Sequence, residues 1–143
     1  MSNYLDWETE GYVSIWVGDF DSRGEFESFF EERIDDEAGA ESPINDFAAA
    51  AGFGFYDHDR QEAEFFGPER PAIEKLLAPF SYSSSYLEEA AAAARAQGVE
   101  SGNASVLLFG MQYGGETSAE SPLRFVGSFP FDETAAPAEE LSA

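Results

Sequence analysis

Three strand-like segments place the strongest limit on what this chain can fold into. Residues 12–17, 104–113 and 123–129 are rich in β-branched and aromatic residues. Residues 62–66 form a shorter strand candidate, predicted to pair in a hairpin with residues 53–56. The mixed order of strands and helices predicts an α+β fold, with a mostly antiparallel sheet of about four or five strands and helices packed on one face.

The connections between these segments contain the signals of helices and turns. Gly114 and Gly115 lie between the last two strand candidates, and they predict that these strands pair with each other as a long hairpin. Short helices are predicted at residues 43–51 and 71–77. An alanine-rich helix follows and is predicted to end at Gly98.

The first helix carries the clearest local pattern and is predicted over residues 23–34. Ser22 and Glu25 fit a capping box, in which each side chain bonds a backbone amide at the start of the helix. The apolar residues that follow share one helical face: Phe26, Phe29, Phe30 and Ile34. The acidic residues of the opposite face are predicted to stay in water: Glu25, Glu31, Glu32 and Asp35.

Length and composition predict one folded domain. The chain has 143 residues, 43% of them hydrophobic and 14 of them phenylalanine, which is enough to build a core. Residues 1–131 are expected to form a single α+β domain, and residues 132–143, rich in Ala, Pro and Glu, a flexible acidic tail. The absence of cysteine, of a signal-peptide pattern and of a long apolar run predicts a cytoplasmic protein with no membrane partner.

The net charge limits the class of partner. A formal charge of -22, with 29 acidic and 7 basic residues, excludes a clustered basic surface for nucleic acid. Such acidity favours a basic macromolecular partner, and it is also typical of a salt-adapted proteome. Residues 19–41 carry ten acidic and two basic side chains, whereas residues 68–100 carry five and three. This uneven distribution favours the partner hypothesis over a proteome-wide bias.

Side chains suited to catalysis are scarce. The chain has no cysteine, one histidine, His58, and one lysine, Lys75, so no nucleophile and base are visible together. His58 lies in a predicted turn, where a solvated histidine is more common than a general base or metal ligand. Residues 19–27 have acids at alternate positions but lack the full calcium-loop pattern. We therefore predict no catalytic residues, no metal and no cofactor.

Several segments together resemble a known family. The strand that ends in Trp16-Val17-Gly18-Asp19-Phe20 has the W-x-G-N/D-F-like form, and it precedes an acidic-aromatic helix. FGFYDHD, EAEFF, FSYSSSYLE, VLLFGMQY and FVGSFPF follow in that order. In the sequence and order of these segments, the chain resembles the immunity proteins of bacterial polymorphic toxin systems, most nearly immunity protein 22. Its alanine-rich helix before Gly98 and its acidic tail depart from that family.

The resemblance implies a protein that binds and neutralises a toxin and is not an enzyme. Many such toxins are basic and act on nucleic acid, so the cognate toxin is expected to be basic, with a nuclease as one candidate. The alternative is a non-catalytic regulatory or structural domain from a proteome with acidic bias. The candidate contact acids lie on the first helix and beside it: Asp19, Asp21, Glu25, Glu31, Glu32, Asp35, Asp36 and Glu37. Trp16 and Phe20 are candidate apolar anchors, and Trp16 has the alternative of packing beneath helices.

Overall fold

A computed structural model describes residues 7–31, 44–52, 56 and 58–138 of the chain. Its strands and helices follow one another as β1 (Glu8–Gly18), α1 (Arg23–Phe30), α2 (Asp46–Ala51), β2 (Gln61–Phe65), α3 (Ile73–Leu77), α4 (Leu87–Ala96), β3 (Ala104–Met111) and β4 (Leu123–Pro130). Short 3₁₀ turns at His58–Arg60 and Ser83–Ser85 precede β2 and α4. Within these residues no helix has the length and apolar character that crossing a bilayer demands.

The strands form a four-stranded antiparallel sheet in the order β2-β3-β1-β4, which confirms the predicted α+β class. The predicted hairpin between β3 and β4 is wrong, because β1 lies between them and pairs with both. Trp16, for example, lies opposite Val106 on one side and Phe125 on the other. Residues 13–17 of β1 are all buried, as expected of a central strand with both faces covered.

β2 is an edge strand that pairs with β3, from Gln61 opposite Leu108 to Phe65 opposite Ala104. The predicted hairpin partner of β2, residues 53–56, lies outside the described residues except for Tyr56. The Tyr56 side chain is buried, and its hydroxyl lies 2.8 Å from the side-chain amide nitrogen of Asn45.

Helices cover both faces of the sheet, not one face as predicted. Trp16 points toward α1 and α2, in an aromatic cluster that includes Phe26 and Phe47. Val13 and Ile15 point to the other face, where they pack with residues of α3 and α4. The physical reason lies in β1, which places Val13 and Ile15 on one face and Trp16 on the other, so that both faces carry large apolar side chains that require cover.

Two helix boundaries differ from the prediction. α1 ends at Phe30, because Glu31 already has extended backbone angles (φ -69°, ψ 124°), and Ile34 lies outside the described residues. α2 begins after Asn45, whose side-chain oxygen accepts a 2.7 Å hydrogen bond from the amide of Ala48. The predicted start of this helix, residues 42–43, is likewise outside the described part.

The segment after residue 131 is held against the body of the protein as far as Ala138. The backbone oxygen of Ala136 accepts hydrogen bonds from the amide and hydroxyl of Ser84, at 3.2 and 2.6 Å. The amide of Ala138 donates to the hydroxyl of Ser83 at 2.7 Å. These contacts involve residues of the segment that was expected to form a flexible tail from residue 132, and residues 139–143 lie outside the described part.

Candidate partner-binding surface

α1 begins with a side-chain cap that its sequence specifies. Ser22 has an extended backbone (φ -156°), and its hydroxyl accepts a 3.1 Å hydrogen bond from the amide of Glu25. The carboxylate of Glu25 in turn accepts a 3.3 Å hydrogen bond from the amide of Asp21. The reciprocal bonds resemble a capping box, with Asp21 as the backbone donor in place of Ser22, and they fix the first turn of α1.

The chain leading into α1 is tied to the residue directly before β3. The side-chain amide of Asn103 bonds both backbone groups of Phe20: its oxygen accepts from the Phe20 amide and its nitrogen donates to the Phe20 carbonyl, each at 2.8 Å. Asn103 itself is 7% exposed. Because these polar groups are buried, their pairing is strongly preferred, and it sets where Asp19 and Asp21 emerge.

The underside of α1 is aromatic. Phe26 is buried and contacts Phe20, with ring centroids 5.5 Å apart in an edge-on arrangement, and it stacks with Phe65 at the same separation. Phe29 and Phe30 are half-buried and approach Phe47 of α2 at 6.4 and 5.5 Å. These rings anchor α1 and leave its other side to solvent.

The outer side of α1 is acidic. Four carboxylate side chains are exposed on α1 or directly beside its ends: Asp21, Glu25, Glu27 and Glu31. Glu27 and Glu31 border a groove of about 650 Å³ between α1 and β2, with Phe26 and Phe30 on its apolar side. We call these four acids and this groove the α1 surface. It combines negative charge with partly exposed aromatic area.

Asp19 lies beside the α1 surface but has a partner of its own. Its carboxylate accepts two hydrogen bonds from the guanidinium of Arg70, at 2.7 and 2.9 Å. The hydrogen bond with Asp19 raises the pKa of Arg70 above its ordinary value. The bidentate pair places a positive charge next to Asp19, so this acid adds less negative potential than the acids of α1.

Comparison with known proteins gives one result. A family model described as Immunity protein 22 matches residues 13–132, a span that runs from within β1 to just beyond β4. The chain belongs to the immunity protein 22 family. No curated protein and no solved structure matches the chain at a significant level.

Residues 16–20, which carried the resemblance to immunity protein 22, have structural roles at the end of β1. Trp16 has 0% exposure, and its indole N–H donates a 2.9 Å hydrogen bond to the hydroxyl of Thr117. A Cβ at Gly18 would lie 1.8 Å from the Pro122 oxygen, so only glycine allows this close approach. That contact brings the amide of Asp19 within 3.2 Å of the same oxygen.

The two predicted apolar anchors belong to the core of this immunity protein 22 member. The ring of Trp16 contacts Phe47, Tyr113 and Phe125, with centroids 4.9–5.1 Å apart. Phe20 is 7% exposed within the aromatic cluster under α1. Neither side chain presents a surface that a partner can fill, and packing beneath the helices was the correct alternative for Trp16.

The remaining predicted contact residues divide into two groups. Asp21, Glu25 and Glu31 are exposed on α1 or beside its ends, whereas four acids fall outside the described residues: Glu32, Asp35, Asp36 and Glu37. Glu27 was not among the predicted contacts, because helical projection puts it at the margin of the apolar face. It is exposed because α1 is short and packs mainly through Phe26.

His58 begins the 3₁₀ turn His58–Arg60 that precedes β2. Across residues 7–31, 44–52, 56 and 58–138, no three side chains of histidine, aspartate or glutamate come together in a group that could hold a metal ion.

Proposed function

We propose that this protein is a cytoplasmic, non-catalytic immunity protein that binds a cognate bacterial toxin and neutralises it through the α1 surface. The observation that carries the proposal is membership of the immunity protein 22 family across residues 13–132. The exposed carboxylates of α1 and the net charge of -22 support an electrostatic mode of binding.

The anchoring of α1 suits it to this role. Three features hold the helix in place before any partner binds. They are the Ser22 cap, the hydrogen bonding of Asn103 to Phe20 and the packing of Phe26. A surface fixed in advance loses little conformational freedom on binding, so more of the interaction energy appears as affinity. Its carboxylates also attract a positively charged partner from a distance and so accelerate association.

The chemistry of the surface favours a basic partner. A toxin that acts on nucleic acid needs clustered lysine and arginine to hold phosphates. Carboxylates presented by Glu27 and Glu31 would occupy such a cluster and block access of the substrate. We therefore propose a basic toxin, with nuclease activity as the leading class.

A second candidate function is a non-catalytic regulatory or structural domain whose acidity reflects its proteome. The observation in its favour is that exposed acids also occur far from α1. Glu88 and Glu89 lie on α4, and Glu116 and Glu120 lie in the loop between β3 and β4.

The two proposals are separated by co-expression with the product of a neighbouring toxin-like gene. We expect cells that express the toxin-like gene alone to stop growing. Cells that express both the toxin-like gene and the present chain should grow. Purified complex of the two chains should accompany the rescue. Growth arrest in both strains, with no complex recovered, would favour the second candidate.

A further inference from the structure

A second groove lies at the opposite end of β1 from α1. Its walls come from residues 8–11 of β1, Arg60, Phe109 and Gly110 of β3, and residues 131 and 133 after β4, and it encloses about 540 Å³. We call it the Phe109 groove. It does not share any lining residue with the α1 surface.

The apolar wall of the Phe109 groove consists of partly exposed aromatic rings. Phe109 and Phe131 line it, and their centroids lie 5.2 Å apart with the rings nearly perpendicular (87°). Tyr82 stacks on Phe131, with centroids 5.3 Å apart at an angle of 13°, and it meets Phe109 edge-on at 5.9 Å. All three rings are half-buried, so each keeps some of its surface open to solvent.

The rim of the Phe109 groove is negative. It contains Glu8, Glu10, Glu133 and Arg60, and Arg60 is paired with Glu8 at 3.0 Å. Arg60 reaches Glu8 by crossing close to Gly110, where an added Cβ would lie 2.9 Å from its guanidinium nitrogen. Among the described residues, no ion pair involves Glu10 or Glu133, so their two negative charges remain available.

Hydrogen bonds hold in place the two segments of the rim that carry Glu10 and Glu133. The amide of Phe131 donates to the carbonyl of Gly11 at 2.9 Å, which ties the end of β4 to the segment that carries Glu10. In the other rim segment, the Asp132 carboxylate accepts hydrogen bonds from the amide and hydroxyl of Thr134, at 2.9 and 2.7 Å, in a local turn around Glu133. The groove is therefore formed in the absence of a partner.

We infer that the Phe109 groove binds an arginine side chain of a protein partner, with the guanidinium against Phe109 and Phe131 and its N–H groups donated to Glu10 and Glu133. This inference does not rest on the α1 surface, since the two grooves are separate. It adds a second contact area at the other end of the sheet.

Charge and shape together select this occupant. Three glutamates and one arginine make the rim net negative, which disfavours an acidic segment and leaves carboxylates unpaired against a purely apolar one. A guanidinium fits both the aromatic wall and the acidic rim, because its flat faces stack on aromatic rings while its edges donate several hydrogen bonds. A lysine ammonium is a compact, strongly hydrated charge and gains less from the rings.

The test is titration of the full-length protein with N-acetyl-arginine amide, followed by NMR of backbone amides and aromatic rings. We expect saturable shifts at Glu10, Gly110, Glu133 and the two phenylalanine rings. The E10Q/E133Q variant should bind the probe at least about threefold more weakly. The E88Q/E89Q variant, with the same change of net charge on α4, should bind it as wild type does.

Three outcomes would overturn the inference. One is equal weakening in E10Q/E133Q and E88Q/E89Q, and another is a shift spread evenly over the acidic surface. The third is an affinity for N-acetyl-lysine amide as high as for the arginine probe. Neither double variant removes a buried group, so unchanged spectra of the free proteins establish that both are folded.

Discussion

Asn103 and Phe20, 83 positions apart in the chain, are joined by two hydrogen bonds of 2.8 Å between one side chain and one backbone unit. This pair connects the start of β3, which follows Asn103 directly, to the chain that enters α1. Because Phe20 is 7% exposed, water has little access to its backbone groups if the amide side chain is removed. The orientation of the α1 surface thus depends on a buried residue that lies outside it.

Asn103→Ala should lower the free energy of unfolding by about 2–4 kcal/mol, since two buried backbone groups lose their partners. Urea unfolding followed by circular dichroism measures the change. Gln112→Ala is a matched control, because Gln112 is an exposed amide on the segment after β3, and it should stay within about 0.5 kcal/mol of wild type. Equal stability of the two variants would show that the hydrogen bonds between Asn103 and Phe20 do not stabilise the fold.

The end of the described chain gives a second prediction, opposite to what composition favours. Truncation after Thr134 removes the acceptor on Ala136 and the donor on Ala138, which bond Ser84 and Ser83. Loss of these bonds should lower the free energy of unfolding by about 1–2 kcal/mol. Truncation after Ala138 keeps them while removing the same two glutamates, so it should be close to wild type. A free energy of unfolding equal to that of wild type in both truncated forms would mean that the contacts of Ala136 and Ala138 do not stabilise the fold.

The ion pair of Glu74 and Arg95 gives a prediction for pH. Arg95 donates two hydrogen bonds to the Glu74 carboxylate, one of them at 2.6 Å, and this lowers the pKa of Glu74 below its ordinary value of 4.5. A depressed folded-state pKa stabilises the protein above the unfolded pKa, and the contribution is lost as the pH falls through the folded pKa. Both side chains are nearly half exposed, at 44% and 45%, so solvent screening keeps the effect small.

Accordingly, Glu74→Gln should be less stable than wild type at pH 7, and the difference should narrow as the pH falls below about 4.5. Melting temperatures of the two proteins across pH 3 to 7 provide the measurement. Glu88→Gln on α4, which lacks such a pair among the described residues, controls for the removal of one negative charge. A Glu74→Gln difference that stays constant with pH would contradict the assignment.

Local features of this fold were predictable from the sequence. The strand at β1 and the Ser22 cap of α1 depend on neighbouring residues, and both are present as predicted. The sheet order was not predictable in the same way, because direct pairing of β3 with β4 and insertion of β1 between them bury the same apolar residues. The apolar Trp16 on the second face of β1 was the available signal that helices cover both faces.

The candidate site shows the same division between local and distant contacts. Helical periodicity correctly placed Glu25 on an exposed side of α1, whereas Glu31 is exposed just after the end of the helix. The pairing of Asp19 with Arg70 and the clamp of Asn103 on Phe20 join residues 51 and 83 positions apart. No spacing rule connects residues at such separations, so both relationships required the tertiary structure.

The central claim is that the α1 surface recognises a basic toxin, and its most direct test is the association rate of charge-reversed variants. E27K/E31K reverses two acids of the α1 surface, whereas E88K/E89K makes the same charge change on α4, across the sheet. Stopped-flow binding to the toxin encoded beside this gene should show association at least about tenfold slower for E27K/E31K at low salt, with a smaller difference at high salt. E88K/E89K should associate nearly as fast as wild type at both. Equal rates for the two double variants at both salt concentrations would contradict recognition through α1.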